Sequence, residues 1–457
     1  RSWKPDMHLL GETSGKNAII VTPSADPDIA VRDAVYSAFA HAGQKCSASS
    51  LLVLVSSAGT SERIARQLVD ATASLRVRLP LSLDSQMGPV VVPDDEKAVR
   101  GLTTLGSGEH WVLKPRYLGD GLWTPGIRAG VVPGSEFHLT EYFAPVIGVM
   151  RVDTLQEAIE AVNAVDYGLT SGIQTLDATE LAIWLEGVQA GNLYVNRGIT
   201  GAIVRRQPFG GWKRSAIGST TKAGGPSYLL GLGEVEPARG QGGKVEQGTA
   251  ALDPRVANLC DAVSGQLDAA DLAELRRALV ADAAAWRTAY GANRDVTGLA
   301  CERNILRYRE VDVVVRAGQG TALADVVRVM AAGVRAGGFI SLSVADRLPQ
   351  PLQNALLAAG VQVMVEDQGA WDARLAELAA SGGLGTRVRV IGPREETSAA
   401  RWSHASRVTG GSPDIALYTG AVTACPHSEL LPFLREQAVA VTNHRFGTPL
   451  DLAEGLL

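Results

Sequence analysis

Apolar positions along the chain recur in two rhythms, short unbroken runs and longer stretches spaced three or four apart. Ala18-Ile19-Ile20-Val21, closed by Thr22-Pro23, and Leu51-Leu52-Val53-Leu54-Val55 read as strands buried on both faces. Asp26-Pro27-Asp28 places a proline and acidic residues where a helix begins, so a helix is expected from there to about His41, ending at Gly43. A helix over 61–75 follows from Ile64, Leu68 and Ala71 on one face. The same pattern predicts helices over 94–105, 154–165 with Thr154 as cap, and 179–189. Strands are expected at 87–91 after a turn, at 149–152 and at 192–196, with short strands and Gly/Pro turns over 111–138. Alternation of strand and helix predicts an α/β sheet.

Residues 234–250 are polar and glycine-rich and read as a linker. The pattern restarts at Asp253, with helices over 255–264 and 268–290 and strands at 311–315, 338–342, 361–365 and 387–391. This predicts a second doubly wound α/β domain. The expected organisation is therefore a first domain at 1–233, a linker at 234–250 and a second domain at 251–457. Ala317-Gly318-Gln319-Gly320-Thr321 lies between strand and helix and carries only two glycines, which turn geometry alone explains better than phosphate binding.

The chain has 457 residues, enough for two or three domains, and its 46% hydrophobic and 20% charged residues are ordinary for a globular protein. A net charge of −5 gives no reason to expect contact with nucleic acid. No apolar run is long enough to form a transmembrane helix. Cys46, Cys260, Cys301 and Cys425 form neither a metal nor a disulfide pattern, which fits a reducing, cytoplasmic compartment. The histidines show no helical pairing that would suit a metal.

Candidate chemistry centres on two stretches, Gly11-Glu12-Thr13-Ser14-Gly15-Lys16-Asn17 and Gly43-Gln44-Lys45-Cys46-Ser47-Ala48. Cys46 has small neighbours, and Lys45 adds positive charge that would favour thiolate, so Cys46 is expected to alkylate faster than the other three cysteines. Glu12 stands at the mouth of a strand, where burial could tune it as a general base. Taken alone, the two residues are better explained by a small buried hydrophobe and a solvated turn acid.

The motifs decide more. Glu12-Thr13-Ser14-Gly15-Lys16-Asn17, followed 34 positions after the glutamate by Cys46 in Gln44-Lys45-Cys46-Ser47-Ala48, resembles the aldehyde dehydrogenase superfamily. Glu141-Tyr142-Phe143-Ala144-Pro145-Val146 resembles its Glu-x-Phe-Gly-Pro-Val segment, with Ala144 replacing the glycine, and Pro208-Phe209-Gly210-Gly211 resembles its Pro-Phe-Gly-Gly segment. The likeness is strongest to the L-glutamate γ-semialdehyde (1-pyrroline-5-carboxylate) dehydrogenases of the bifunctional proline utilization family. It extends past residue 250, and 431–449 is similar to that family's C-terminal signature, where His444 and Arg445 read as packing and docking residues.

The resemblance implies a catalytic domain followed by an aldehyde-dehydrogenase-like domain without chemistry of its own. It implies Cys46 as nucleophile, Glu12 as general base, and NAD as cofactor held by Glu141 and Phe143. It implies a small aldehyde substrate whose carboxylate meets the amides of Gly201 and Ala202, with Ser47 adding a hydroxyl and Phe209 packing on the stem. The backbone N–H of Cys46 is the oxyanion donor it offers, the family's asparagine donor lying upstream. Arg1 stands only a dozen residues before the candidate base, so the cofactor domain is expected to be mostly missing and the chain a C-terminal fragment. A proline dehydrogenase domain upstream, or on a partner, and a homo-oligomer in the full protein are further implications. Two other readings stay open: a non-catalytic remnant acting through its surfaces, and an aldehyde dehydrogenase of different specificity.

Overall fold

The computed structural model describes residues 3–4, 7–236, 252–295 and 297–457. From 237 onward the expected linker lies outside the described residues. The chain forms two compact units that do not follow chain order. One takes Glu12–Ser215, Asp295–Leu306 and Gln437–Leu457, and the other takes Arg1–Gly11, Ala216–Arg294 and Arg307–Glu436. A division at 234–250 is therefore crossed by two downstream segments.

The unit containing Glu12–Ser215 is built on a long sheet. Its central strands run Leu434–Thr442, Asn192–Val195, Thr170–Gln174, Asn17–Val21, Ser49–Val55, Val146–Val152 and Gly126–Val131, with His110–Leu113 at one edge. These pair in parallel except for the antiparallel edge. Ala18, Ile19, Ile20, Leu51, Leu52 and Val53 are at most 1% exposed, because helices cover both faces and a strand covered twice needs an unbroken apolar run. The tail enters through Ala438-Val439-Ala440-Val441, which lies beside Asn192–Val195 with Asn192 opposite Ala438. The segment whose sequence resembles a C-terminal signature thus supplies a buried strand and, after it, a short hairpin of His444–Arg445 with Thr448–Pro449.

The helices sit near their expected places. Pro27–Phe39 begins with Asp26 accepting from the Asp28 and Ile29 N–H groups. Glu62–Ala73, Glu96–Thr103, Leu155–Asn163 and Ala178–Gly187 are capped by Ser61, Asp95, Thr154 and Asp177. Two expectations fail. The first helix stops at Phe39, and His41, Ala42 and Gly43 then turn with φ of 56°, 55° and 68°. No strand forms at 87–91, where only Met87 bridges to Val77. Pro89 has no N–H to give a ladder, and the Val91 N–H is taken by the Gln44 side chain at 2.7 Å.

The other unit carries a five-stranded parallel sheet in the order Gln362–Val365, Ile340–Val344, Val313–Ala317, Thr386–Ile391, Ile415–Tyr418. Strand order reverses after Val313–Ala317, which is the doubly wound arrangement expected. The long helix ends at Ala285 and is followed by a π turn over Trp286–Tyr290.

Candidate active site

Three loops meet at one end of the first sheet because three neighbouring parallel strands start there. Residues 12–16 lead into Asn17–Val21, 43–48 into Ser49–Val55, and 141–145 into Val146–Val152. The first two strands pair Asn17 with Ser49, and the last two pair Leu51 with Gly148. Motifs more than a hundred residues apart in the chain therefore share one sheet edge.

Asn17 ties the first loop to the second. Its buried amide donates to the Cys46 carbonyl at 2.7 Å and to the Ala48 carbonyl at 2.9 Å, while its oxygen accepts the Thr170 N–H at 3.0 Å. Gly15 packs so closely that a Cβ there would lie 2.5 Å from the Cys46 carbonyl oxygen. The second loop is locked to the third in turn. Gln44 donates to the Phe143 carbonyl at 3.0 Å, and a Cβ on Gly43 would meet the Ala144 carbonyl oxygen at 2.4 Å.

Cys46 is half-buried, and its pKa is raised by burial and then by the negative charges of Glu141 and Glu12. The backbone N–H groups of Ser47 and Cys46 oppose this shift by donating toward the sulfur. The expectation that Lys45 makes the site electropositive is therefore corrected: two carboxylates, close in space though distant in sequence, set the field. The expected order of alkylation loses its basis as well, because Cys301 is exposed and Cys46 is not.

Glu12 is exposed rather than tuned by burial. Its carboxylate accepts the Gly211 N–H at 3.1 Å, so the Pro208-Phe209-Gly210-Gly211 segment aims it. That segment is held by Asn192, which donates to the Pro208 carbonyl at 3.0 Å and accepts from the Gly210 N–H at 3.2 Å. Glu141 is 7% exposed, and burial raises its pKa against hydrogen bonds from the Ser14 hydroxyl and the Gly15 N–H, the latter at 3.3 Å. Phe143 is 39% exposed and has φ of 53°, a conformation rare for an aromatic residue, so its ring stands outside the core. The positive φ falls on Phe143, not on Ala144, so alanine fits where the related motif has glycine.

Ser47 is buried at 4% exposure and Phe209 is half-buried. Gly201, with φ of 79°, and Ala202 lie in the loop before a turn at 204–206, and their two backbone N–H groups have no acceptor among the described residues. Thr200, just before them, is 5% exposed with a hydroxyl that has no partner. The loop abuts the first helix, since the Ile199 N–H donates to the Ser37 hydroxyl at 3.0 Å.

Lys16 was not singled out by sequence. It is fully buried, its ammonium lies 4.2 Å from the centre of the Phe137 ring without a hydrogen bond, and burial lowers its pKa to about 7, against the opposing pull of Glu141. Gln44 and Asn17 were missed for a similar reason, as polar residues whose partners are remote in sequence. Among the described residues no cluster of potential ligands could hold a metal, and no helix is long and apolar enough to cross a membrane.

Residues 7–232 match the aldehyde dehydrogenase family. The 1-pyrroline-5-carboxylate dehydrogenase of Bacillus subtilis (strain 168) is 35% identical over 225 residues, covering 49% of this chain and 43% of that protein. The protein of the same name from Geobacillus sp. (strain WCH70) is 33% identical over 225 residues, with the same coverage of 49% and 43%. The solved structure of Proline Utilization A (PutA) from Corynebacterium freiburgense is similar with a TM-score of 0.78 and 41% identity, over 98% of this chain and 41% of that one. The chain thus spans less than half the length of these relatives. The segment of residues 7–232, which holds Glu12, Cys46, Glu141 and the Pro-Phe-Gly-Gly turn, belongs to the aldehyde dehydrogenase family.

Proposed function

We propose that this chain forms the catalytic part of an NAD-dependent dehydrogenase that oxidises L-glutamate γ-semialdehyde to L-glutamate in proline breakdown. The observation that carries the reading is the meeting of Cys46, Glu12 and Glu141 at the starts of adjacent strands. The names of the similar proteins support the substrate class, and the unclaimed amides of Gly201 and Ala202 suit its carboxylate.

Glu141 and Phe143 fit the nicotinamide end of the cofactor. A carboxylate has about four acceptor sites, and the two known donors to Glu141 leave room for ribose hydroxyls. The exposed Phe143 ring offers a flat face beside it. NAD, when bound, accepts the hydride.

Cys46 attacks the aldehyde carbon as thiolate, forming a thiohemiacetal whose oxyanion is met by the Cys46 backbone N–H. Loss of hydride from that carbon leaves a thioester on Cys46. Glu12, aimed by Gly211, removes a proton from water as it attacks the thioester carbonyl, releasing the acid and the thiolate. Ser47 and Phe209 complete the substrate site, the first by its hydroxyl and the second by packing on the stem. A cytoplasmic enzyme, homo-oligomeric when complete and receiving its aldehyde from a proline dehydrogenase upstream or on a partner, is consistent with the similarity to Proline Utilization A. In this reading the second unit, the larger part of 251–457, has no chemistry of its own.

The test is Glu12→Gln in a polypeptide extended to the length of its relatives. Glutamine keeps the shape but takes no proton, so one turnover of NADH should appear as a burst with little steady-state rate. Loss of both phases would place Glu12 earlier, in activating Cys46. Failure of the unaltered polypeptide to reduce NAD with any of a panel of aldehydes would favour the remnant reading, and preference for an aldehyde without a carboxylate would refute the substrate.

A further inference from the structure

The loop that presents Gly201 and Ala202 is braced by a residue that no motif marks. Gln207 is 3% exposed, and its side-chain oxygen accepts the Ile203 N–H at 2.8 Å. Its amide nitrogen donates to Glu302 at 3.0 Å and also to Asn304. Asn304 is fully buried and uses its own NH2 group on the Thr297 hydroxyl at 3.1 Å, so only its oxygen is left to face Gln207. Glu302 also pairs with Arg197. Each group in this network therefore has one role: Gln207 must donate to the strand residues and accept from Ile203. Glu302 and Asn304 are two positions apart on one strand, which puts both side chains on the same face.

We infer that Gln207, oriented by Glu302 and Asn304, is the positioning residue that gives the 200–203 loop its selectivity for a carboxylate. The inference deepens the reading above and rests on it. Three consecutive amides, those of Gly201, Ala202 and Ile203, belong to this loop. Gln207 occupies the third and leaves the first two without an acceptor, next to the buried, unpartnered Thr200 hydroxyl, so that together they offer donors to one anion. The Ile203 carbonyl accepts the Arg206 and Gln207 N–H groups, each at 3.0 Å, so a tight turn over 203–207 brings Gln207 back against Ile203. Arg197 offsets the charge of Glu302, which would otherwise stand unbalanced behind a site meant for an anion. The shape of the loop is thus set by the Asp295–Leu306 segment, nearly a hundred residues downstream.

The test uses the full 457-residue chain with L-glutamate as probe, and 4-aminobutanoate as the same molecule without the α-carboxylate. Gln207→Met and Gln207→Glu should each weaken L-glutamate about tenfold while changing 4-aminobutanoate by less than about twofold. Hydrogen exchange at the Ile203 amide should quicken by at least about tenfold in Gln207→Met. The double variant Gln207→Glu with Glu302→Gln exchanges donor for acceptor at one of the two contacts only, since the Asn304 oxygen still faces a carboxylate, and should recover part but not all of the lost L-glutamate affinity. Unchanged Ile203 exchange in Gln207→Met overturns the proposal, and so does equal weakening of both ligands, which would mark a general packing role. If the unaltered chain binds no L-glutamate, the substrate reading fails. The exchange rate and its partial restoration in the double variant then still decide whether Gln207 holds the loop.

Discussion

Replacing Gly15 by alanine tests how rigidly the loop that carries Cys46 is seated. The obstacle is space and not backbone angle, since Gly15 is not among the residues with positive φ. The new methyl carbon would lie 2.5 Å from the Cys46 carbonyl oxygen and 2.6 Å and 2.8 Å from the two polar atoms of the Asn17 amide. Real methyl carbons essentially never approach closer than 3.0 Å, so the Cys46 carbonyl must retreat by at least about 0.5 Å. That retreat pulls on three hydrogen bonds of Asn17, to Cys46, Ala48 and Thr170. Overpacking of this kind costs about 1–3 kcal/mol. A displacement of 1 Å at a reacting group costs about a hundredfold in rate, so half of that predicts about a tenfold loss in catalysis. Thermal unfolding followed by circular dichroism should move down by several degrees. Iodoacetamide labelling at Cys46, mapped by mass spectrometry, should change in rate while labelling at Cys301 does not. Gly88→Ala serves as control, because nothing lies within 4 Å of its Cβ position. If Gly15→Ala melts and labels like the parent, the interlock of the two loops carries no weight and the reasoning is refuted.

Other outcomes follow from the same geometry. Because Glu12 is one of two carboxylates raising the Cys46 pKa, Glu12→Gln should move the alkylation profile of Cys46 to lower pH, and a move to higher pH would contradict the assigned field. Lys16 loses its proton near pH 7 in the folded chain but near 10.5 when unfolded, so between those values the unfolded state holds more protons and stability rises with pH. Lys16→Met should abolish that rise, worth up to about 1.4 kcal/mol per pH unit, as urea unfolding at pH 7 and pH 9 would reveal. In the second unit Gly320 has φ of 75° and donates its N–H to Asp346 at 2.8 Å, whereas a Cβ on Gly318 has 3.5 Å of room. Gly320→Ala should cost about 1 kcal/mol and Gly318→Ala almost nothing, with NAD affinity unchanged in both; a selective loss of NAD binding at unchanged melting temperature would refute the view of this loop as a plain turn.

What the sequence made legible was whatever could be read locally. Ile19, Ile20, Leu52 and Val53 announce a doubly covered sheet, and Asp26, Ser61, Asp95 and Thr154 announce helix starts at the places where they cap. Strand Glu302–Glu310 was missed because Glu302, Arg303, Arg307, Arg309 and Glu310 hide its period, although Asn304 to Arg307 are buried. Strand Leu434–Thr442 was read as a tail because Arg435, Glu436 and Gln437 precede its apolar half. At the site, Glu12 and Cys46 stood out by motif, but the field around Cys46 did not. Lys45 is adjacent in sequence, whereas Glu12 and Glu141 reach the sulfur only through strand pairing. Lys16 reads as an ordinary surface charge until burial makes it otherwise. Gln207 reads as a loop residue until its partners arrive from Glu302 and Asn304.

The strand formed by Ala438-Val439-Ala440-Val441 has a consequence for how the protein is made. Its partner Asn192–Val195 leaves the ribosome some 240 residues earlier. Throughout that interval the sheet that carries the Cys46 loop presents an apolar margin with unmatched backbone groups, the kind of surface to which other nascent chains adhere. Synthesis must therefore run nearly to residue 442 before this sheet can close, so a stalled or prematurely released product would hold every motif residue and still be a client for chaperones and proteases.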